Sequence, residues 1–394
     1  MESNRKGPMR QDIPHPRCVA RDSRRRTGRF RASLAVLVMV LSSCGARPGP
    51  ETLLPVANPN GGGTPITVLS MTNRTGTATV PPVFGSGRGT PSFEEFTFLT
   101  RTPATQADDR GTPEADPSKE FVTVGRRLMS EAAFEDEVIR RTAPRDTSIT
   151  VFVHGYNYSY QEAVFRVAQL NAETSESSVP ILFSWPSDGR ASGYLADRDG
   201  ATYARDDLVR LLTTLRQEAP GRNIGVIGHS MGAWLVMEAL RQMRMQGQGN
   251  IVDQLQVVLA APDIDIDVFR KQAGAVGKLP TPLTLLVSPD DRALAVSGGL
   301  AGRRARVGNA GLNDPQLLAI AQQNGMRVFD ISAVPATGGL NHDRYIAFAA
   351  RYADMAEDGR GGDRFRRAGI YLLDTTGRIL SSPFDAASRA LGGD

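Results

Sequence analysis

Cysteine is scarce in this chain of 394 residues, which contains only Cys18 and Cys44. So few cysteines exclude a fold held together by disulfides, and a packed apolar core must supply the stability instead. The length, the apolar fraction of 40% and the charged fraction of 22% are typical of a globular protein with one large domain or two ordinary ones.

The apolar run Leu34–Leu41 is too short to cross a bilayer, but its length suits the core of a signal peptide. Residues 1–31 carry ten Lys and Arg against three Asp and Glu, as the basic start of such a peptide does. The sequence LSSC that ends at Cys44 resembles the lipobox of bacterial lipoproteins. We therefore predict a signal peptide with lipobox over residues 1–44 and a lipid on Cys44.

This interpretation predicts export and a lipid anchor in the bacterial cell envelope, on the periplasmic face or in the outer membrane. An ordinary secretory signal without lipid is one alternative, and a cytosolic protein with a misassigned start is another. Cleavage before Cys44 would leave 36 basic and 39 acidic residues, so the net charge of +4 belongs to the leader. The sequence therefore gives no indication of a nucleic-acid partner.

Composition divides the rest of the chain into three segments. Residues 45–64 are rich in Pro, Gly and Asn and predict a flexible tether. Residues 65–358 form the predicted folded domain, in which 102–118 read as a polar surface loop. Residues 359–394, rich in Gly and Arg at their start, read as a peripheral C-terminal extension.

Apolar patterning predicts an α/β fold. Early strands are expected near Ile66 and Phe96, and a helix over Ser130–Arg141 with Ser130 as its N-cap. From Ser148 onward, short β-branched runs alternate with helical stretches, which predicts a mostly parallel, doubly wound sheet with helices on both faces. In such a sheet the carboxyl ends of the strands share one edge, where sites form.

The sequence from Gly228 to Gly232, GHSMG, follows a predicted strand and precedes a predicted helix. This is the context of a nucleophile elbow, in which a serine sits at a sharp turn between small residues. Ser230 is therefore the candidate nucleophile, and the alternative is a serine that only caps the helix.

A serine hydroxyl needs a base to take its proton, and only four histidines can supply one. His15 lies in the predicted leader, and His154 and His229 lie inside turn motifs, which leaves His342. The carboxylate that orients this histidine should follow one of the two strands before it. Asp291 is favoured by its place after the penultimate strand. The alternatives are Asp290, Asp263, Asp265 and Asp267.

The oxyanion of an acyl-transfer intermediate needs backbone N–H donors. We expect one from Met231, directly after the serine, and one from Tyr156 in the sequence HGYN after a predicted strand. Trp185 either forms a wall of the acyl pocket or packs against the sheet edge. The predicted substrate pocket also includes His154, as an organiser of its loop, and His229.

Six segments together resemble a known family: TVFVHGYN (150–157), ILFSWPSDGRASGYLADRD (181–199), GHSMGAWLVMEAL (228–240), LAAPDIDIDVF (259–269), SPDDRAL (288–294) and NHDRY (341–345). Over roughly residues 65–350 the chain is similar to a bacterial family of α/β hydrolases of unknown function, distantly related to esterases and lipases. The resemblance implies the α/β-hydrolase fold and a triad of Ser230, Asp291 and His342. It implies no metal and no organic cofactor.

The sequence thus predicts a serine hydrolase that cleaves a small or lipid-like carboxylic ester through an acyl-enzyme. An acyltransferase or a peptidase could use the same residues. A non-catalytic binding or scaffold lipoprotein of the envelope is the alternative from another class.

Overall fold

A computed structural model describes residues 47–56, 64–100, 121–144, 146–174, 177–336, 338–357 and 371–373. The chain divides into two units after Arg47, and the elements described here all lie in the second unit. Their centre is one ten-stranded sheet with the order β10-β9-β8-β7-β6-β4-β5-β1-β2-β3.

The strands are β1 (Pro65–Gly76), β2 (Phe84–Thr100), β3 (Phe121–Met129), β4 (Ser148–Val153), β5 (Ser178–Ser184), β6 (Ile224–His229), β7 (Leu255–Ala260), β8 (Thr284–Val287), β9 (Arg327–Asp330) and β10 (Tyr371–Leu373). Strands β1 and β4 to β9 run parallel to one another. Strands β2, β3 and β10 are antiparallel to their neighbours at the two edges.

The helices are α1 (Glu131–Arg141), α2 (Tyr160–Ala172), α3 (Tyr194–Glu218), α4 (Met231–Met245), α5 (Gly249–Val252), α6 (Ile266–Val276), α7 (Arg292–Leu300), α8 (Pro315–Asn324) and α9 (Arg344–Glu357). Two short 3₁₀ helices cover Pro50–Leu53 and Val307–Asn309. None of the helices in the described ranges has the length and apolar character that a bilayer crossing requires.

Two apolar clusters lie on opposite faces of the sheet, because successive strand residues point to opposite sides. Val151 and Val153 of β4 pack with α1, α3, α4, α6 and α8 on one face. Phe152, between them, packs with α2 and α9 on the other. The prediction of a mostly parallel, doubly wound sheet with helices on both faces is therefore confirmed.

The segment predicted as a flexible tether is in part docked on the domain. Leu53 is buried with 2% of its surface exposed, in the cluster beneath α2. The Val56 N–H donates to the Thr123 carbonyl at 3.0 Å, and Gln161 Nε2 donates to the Pro48 carbonyl at 2.7 Å. The prediction of a flexible tether is therefore corrected for residues 48–56. One of their apolar side chains is buried in the domain, and their backbone forms hydrogen bonds with it.

Three further differences concern the edges of the fold. Strand β3 was not predicted, because its sequence FVTVGRRLM alternates poorly and contains two arginines. Strand β10 lies within the predicted C-terminal extension and pairs with β9. The helical pattern TYARDDLVRLLTTLRQEA predicts a helix from Thr202, whereas helix α3 begins eight residues earlier, at Tyr194. The predicted loop 102–118 and the predicted leader lie outside the described residues.

Candidate active site

Ser230 sits at a sharp turn between β6 and α4. Its backbone has φ 55° and ψ −120°, in a region that residues with a Cβ seldom occupy. Only 4% of the residue is exposed. The Ser230 N–H donates to the Ala260 carbonyl at 2.9 Å, and its carbonyl accepts from Asp263 N–H at 3.1 Å, so β7 and the loop after it hold the turn. The side chain of Ser230 makes no capping bond to α4, which removes the helix-cap alternative.

The two glycines of the motif are required by close backbone approach. A Cβ on Gly228 would lie 2.7 Å from Ala233 Cα. A Cβ on Gly232 would lie 2.3 Å from the carbonyl oxygens of Val153 and His154. Since backbone atoms on both sides leave no room, a side chain at either position would push the strand and the helix apart.

We expect Gly232→Ala to lower the free energy of unfolding by about 3 kcal/mol or more, because its methyl would overlap two backbone carbonyls. Gly274→Ala is the matched control, since its Cβ would meet nothing within 4 Å and it lies in helix α6. There we expect a gain of about 0.5–1 kcal/mol. Urea unfolding curves measure both, and equal midpoints for the two variants would contradict this explanation.

His342 and Asp291 form a close pair at the same edge of the sheet. His342 Nδ1 lies 2.6 Å from Asp291 Oδ2, with Asp291 1% exposed. Asp291 is also the N-cap of α7, where its Oδ1 accepts from Leu294 N–H at 3.0 Å. Because one oxygen is fixed by the helix, the other is held toward the imidazole.

The pKa of His342 reflects two opposing effects. Burial lowers it, but the hydrogen bond and charge of Asp291, with the charges of Asp263 and Asp343, outweigh burial and raise the pKa above its ordinary value. With Nδ1–H donated to Asp291, the neutral ring keeps its lone pair on Nε2.

The other candidate acids make different contacts. Asp290 forms a two-point ion pair with Arg344, with Nη2 2.8 Å from Oδ2, and it accepts from Asn341 Nδ2 at 3.0 Å. The Arg344 contact holds the pKa of Asp290 down at about 2. Asn341 and Arg344 flank His342. Through them, Asp290 joins the end of β8 to the loop of residues 338–343 that carries His342, the histidine loop.

Asp263 and Asp265 are also engaged away from the imidazole. Asp263 lies 3.2 Å from Arg306 Nε and accepts from Tyr194 OH at 2.9 Å and from Ser297 Oγ at 2.7 Å. Asp265 caps α6. No local pattern predicts the pair of Asp263 and Arg306, because the two residues lie 43 positions apart along the chain.

His229 lies beneath the histidine loop. Its ring centroid is 4.7 Å from that of His342 and 4.5 Å from that of Tyr345. His229 Nε2 lies 3.2 Å from the His342 carbonyl, so a proton on Nε2 would bond it. Burial, and then the neighbouring His342, lower the pKa of His229 well below its ordinary value, so the ring is neutral. With 2% exposed, His229 supports His342 rather than lining a pocket, which corrects that prediction.

The loop after β4 packs directly against the serine. A Cβ on Gly155 would lie 2.9 Å from Ser230 Cβ, so only glycine allows this approach. Tyr156 follows, and its ring contacts that of Tyr194 at 5.3 Å. Met231 begins α4, where the first N–H groups have no acceptor within the helix. Of the two residues predicted as oxyanion donors, Met231 directly follows Ser230, and Tyr156 directly follows Gly155, which packs against the serine.

His154 and Trp185 lie behind this loop and have no exposed surface. Their rings stack at 4.8 Å, and Trp185 Nε1 donates to the His154 carbonyl at 2.8 Å. Burial, and then the charge of Arg74, lower the pKa of His154 to about 3. The prediction that these residues line the substrate pocket is corrected, because they pack inside the sheet edge. For Trp185 the structure agrees with the alternative, in which the ring packs against the sheet edge.

Arg74 is a buried organiser that sequence reasoning missed. It donates from Nε to Ser184 Oγ at 3.0 Å, and from its Nη atoms to the carbonyls of Ser187 and Tyr158 at 2.9 Å each. These bonds join β1, the loop after β5 and the loop after β4. In the described ranges, no three His, Cys, Asp or Glu side chains are grouped as a metal site would need.

A doubly wound sheet with a serine at a sharp strand-to-helix turn defines the class of α/β hydrolases. A family model described as "Alpha/beta hydrolase of unknown function (DUF900)" matches residues 130–356, more than half of the chain. The chain belongs to this family, which confirms the family and fold that the sequence motifs indicated. It is also 39% identical over 63 residues to the uncharacterized protein alr1448 of Nostoc sp. (strain PCC 7120), a stretch that covers 16% of each chain.

Proposed function

We propose that this protein is a serine hydrolase that cleaves carboxylic esters through an acyl-enzyme. The observation that carries the proposal is the 2.6 Å pair of His342 and Asp291 at the sheet edge where Ser230 occupies its sharp turn. Further support comes from the Ser230 side chain, which makes no capping bond, and from the ring of His342, which contacts the ring of His229 directly before the serine. Nucleophilic catalysis requires a base that can take the serine proton, and His342 is the proposed base.

In the proposed reaction, Ser230 Oγ attacks the ester carbonyl carbon while His342 Nε2 takes the hydroxyl proton. Asp291 keeps the proton of the imidazole on Nδ1 and stabilises the imidazolium that forms. The backbone N–H groups of Met231 and Tyr156 receive the oxyanion. His342 then protonates the departing alkoxide, and water, activated by the same imidazole, releases the acid and restores Ser230.

Ester substrates are favoured over amides because an alkoxide leaves more easily than an amide anion. A panel of p-nitrophenyl esters of graded chain length, with a p-nitroanilide of the same acyl group beside each, tests this preference. We expect hydrolysis of the esters to be faster by orders of magnitude. Comparable rates on the anilides would instead identify a peptidase.

We also propose that the protein is exported and carries its lipid on Cys44. This proposal is supported by the basic leader, the short apolar run and the LSSC sequence. Metabolic labelling with a palmitate analogue tests it: label in the wild type and none in Cys44→Ser is expected. Equal labelling of both proteins would contradict it.

Activity should fall as the pH decreases through the pKa of His342. A protonated imidazole cannot accept the Ser230 proton, and this pKa is raised above the ordinary value of about 6.5. Asp291→Asn removes the largest raising influence and leaves burial, so the titration should move to lower pH. NMR titration of the histidine rings measures this shift in both proteins. A midpoint that Asp291→Asn leaves unmoved would contradict the assignment.

A further inference from the structure

The hairpin between β1 and β2 extends beyond the rest of the sheet. Gly76 pairs with Phe84, and the Thr77 N–H donates to the Val83 carbonyl at 3.0 Å, which closes the tip of residues 77–83. Because β1 is parallel to β4, β5 and β6, this tip projects from the sheet edge on which Ser230 lies. Three strand spacings separate β1 from β6, or about 14 Å.

The tip is uncharged and apolar at its most exposed point. Residues 75–87, TGTATVPPVFGSG, contain no charged side chain. Val80 is 97% exposed and Val83 is 38% exposed. Two more apolar side chains are exposed at this edge, Leu195 at the start of α3 and Leu340 beside His342, at 79% and 56%. The tip is the most exposed of these apolar features, and an uncharged apolar tip of this kind is suited to contact with an apolar phase.

The docked N-terminal segment enters the domain beside the same hairpin. Gln161 Nε2 holds the Pro48 carbonyl at 2.7 Å, at the start of α2 and thus at the carboxyl edge of the sheet. The neighbouring Tyr160 ring lies 4.9 Å from that of Phe84 at the base of the tip. Pro48 and the hairpin base therefore contact consecutive residues of one helix.

The length of chain before Pro48 fixes how far the domain can lie from an anchor. Pro48 lies four residue steps after Cys44, and extended chain spans at most about 3.6 Å per step, or about 14 Å in all. A lipid on Cys44 would therefore hold Pro48, at this edge of the sheet, within about 14 Å of the bilayer surface.

We propose that the carboxyl edge of the sheet faces the membrane, with the tip of residues 77–83 in contact with the bilayer. The proposal rests on the lipid anchor proposed above. It places the entrance to Ser230 toward the lipid surface, so lipid esters of that bilayer are the substrates nearest to the nucleophile.

The test uses the lipidated full chain with one added cysteine, either Val80→Cys or Met245→Cys. Met245 is the matched control, since it is 72% exposed at the end of α4, on the opposite edge of the sheet. Each cysteine carries a polarity-sensitive fluorophore, and the protein is reconstituted in vesicles of phosphatidylethanolamine and phosphatidylglycerol. A lipidated Cys44 has no free thiol, so the label is specific.

We expect the label at position 80 to shift its emission to the blue and to be quenched by a spin-labelled phospholipid. The label at position 245 should respond only to aqueous iodide. The same response at both positions, stronger lipid quenching at 245, or a mass spectrum without lipid on Cys44 would each overturn the proposal. Hydrolysis of a soluble ester by the same preparations tests the proposed hydrolase by itself. Fluorescence of the two labelled positions in a Ser230→Ala background tests the membrane contact in a protein without the nucleophile.

Discussion

Replacing Ser230 by alanine should lower kcat for ester hydrolysis by about 10⁴- to 10⁶-fold, because the variant has no group to form the acyl-enzyme. Folding should be retained, since the Ser230 side chain makes no capping bond and the backbone bonds to Ala260 and Asp263 do not depend on it. Steady-state kinetics on a p-nitrophenyl ester, with circular dichroism on the same samples, measure both properties.

The informative comparison is with His342→Ala, which leaves the hydroxyl but removes the proposed base. We expect a loss of the same order, because residues that act as one unit are not additive. Combining the two changes should therefore add little to either. If folded Ser230→Ala retained activity within tenfold of the wild type, another nucleophile would be responsible.

Asp291→Asn should reduce kcat by about 10³- to 10⁴-fold, whereas Asp290→Asn should cost about tenfold or less. The two changes are the same substitution in neighbouring residues. An asparagine at 291 can still cap α7 through its carbonyl oxygen. If the amide nitrogen of this asparagine faced His342, it would present a hydrogen at the place where the Nδ1–H of His342 needs an acceptor.

Asp290 contacts Arg344 and Asn341 rather than the imidazole, so its loss should loosen the histidine loop without removing the partner of Nδ1. Kinetics of both variants with one ester, together with their urea midpoints, separate chemistry from folding. A larger loss in Asp290→Asn than in Asp291→Asn would reverse the assignment of the two carboxylates.

The features that the sequence predicted are those with local or compositional signals. The GHSMG motif predicts the turn at Ser230 because two close backbone approaches exclude any side chain larger than hydrogen. Only four histidines left few candidates for the base. The alternating strands and helices predicted the sheet, since strands buried on both faces have a distinct composition.

The features that were missed depend on contacts between distant segments. Arg74 lies on β1, and three of its partners, Ser184, Ser187 and Tyr158, lie more than 80 residues later along the chain. The docking of residues 48–56 depends on a site made by β3 and α2, which a Pro- and Gly-rich composition does not reveal. Trp185 and His154 lie in loops where sequence alone does not distinguish a pocket wall from a packed interior.

The most direct test of the central claim, that Ser230 is an activated nucleophile, is peptide mass spectrometry after reaction with a fluorophosphonate. We predict one phosphonyl adduct, on Ser230, which forms in the wild type and is strongly slowed in His342→Ala. Folded wild-type protein that stays unmodified, or an adduct on any other residue, would contradict the account.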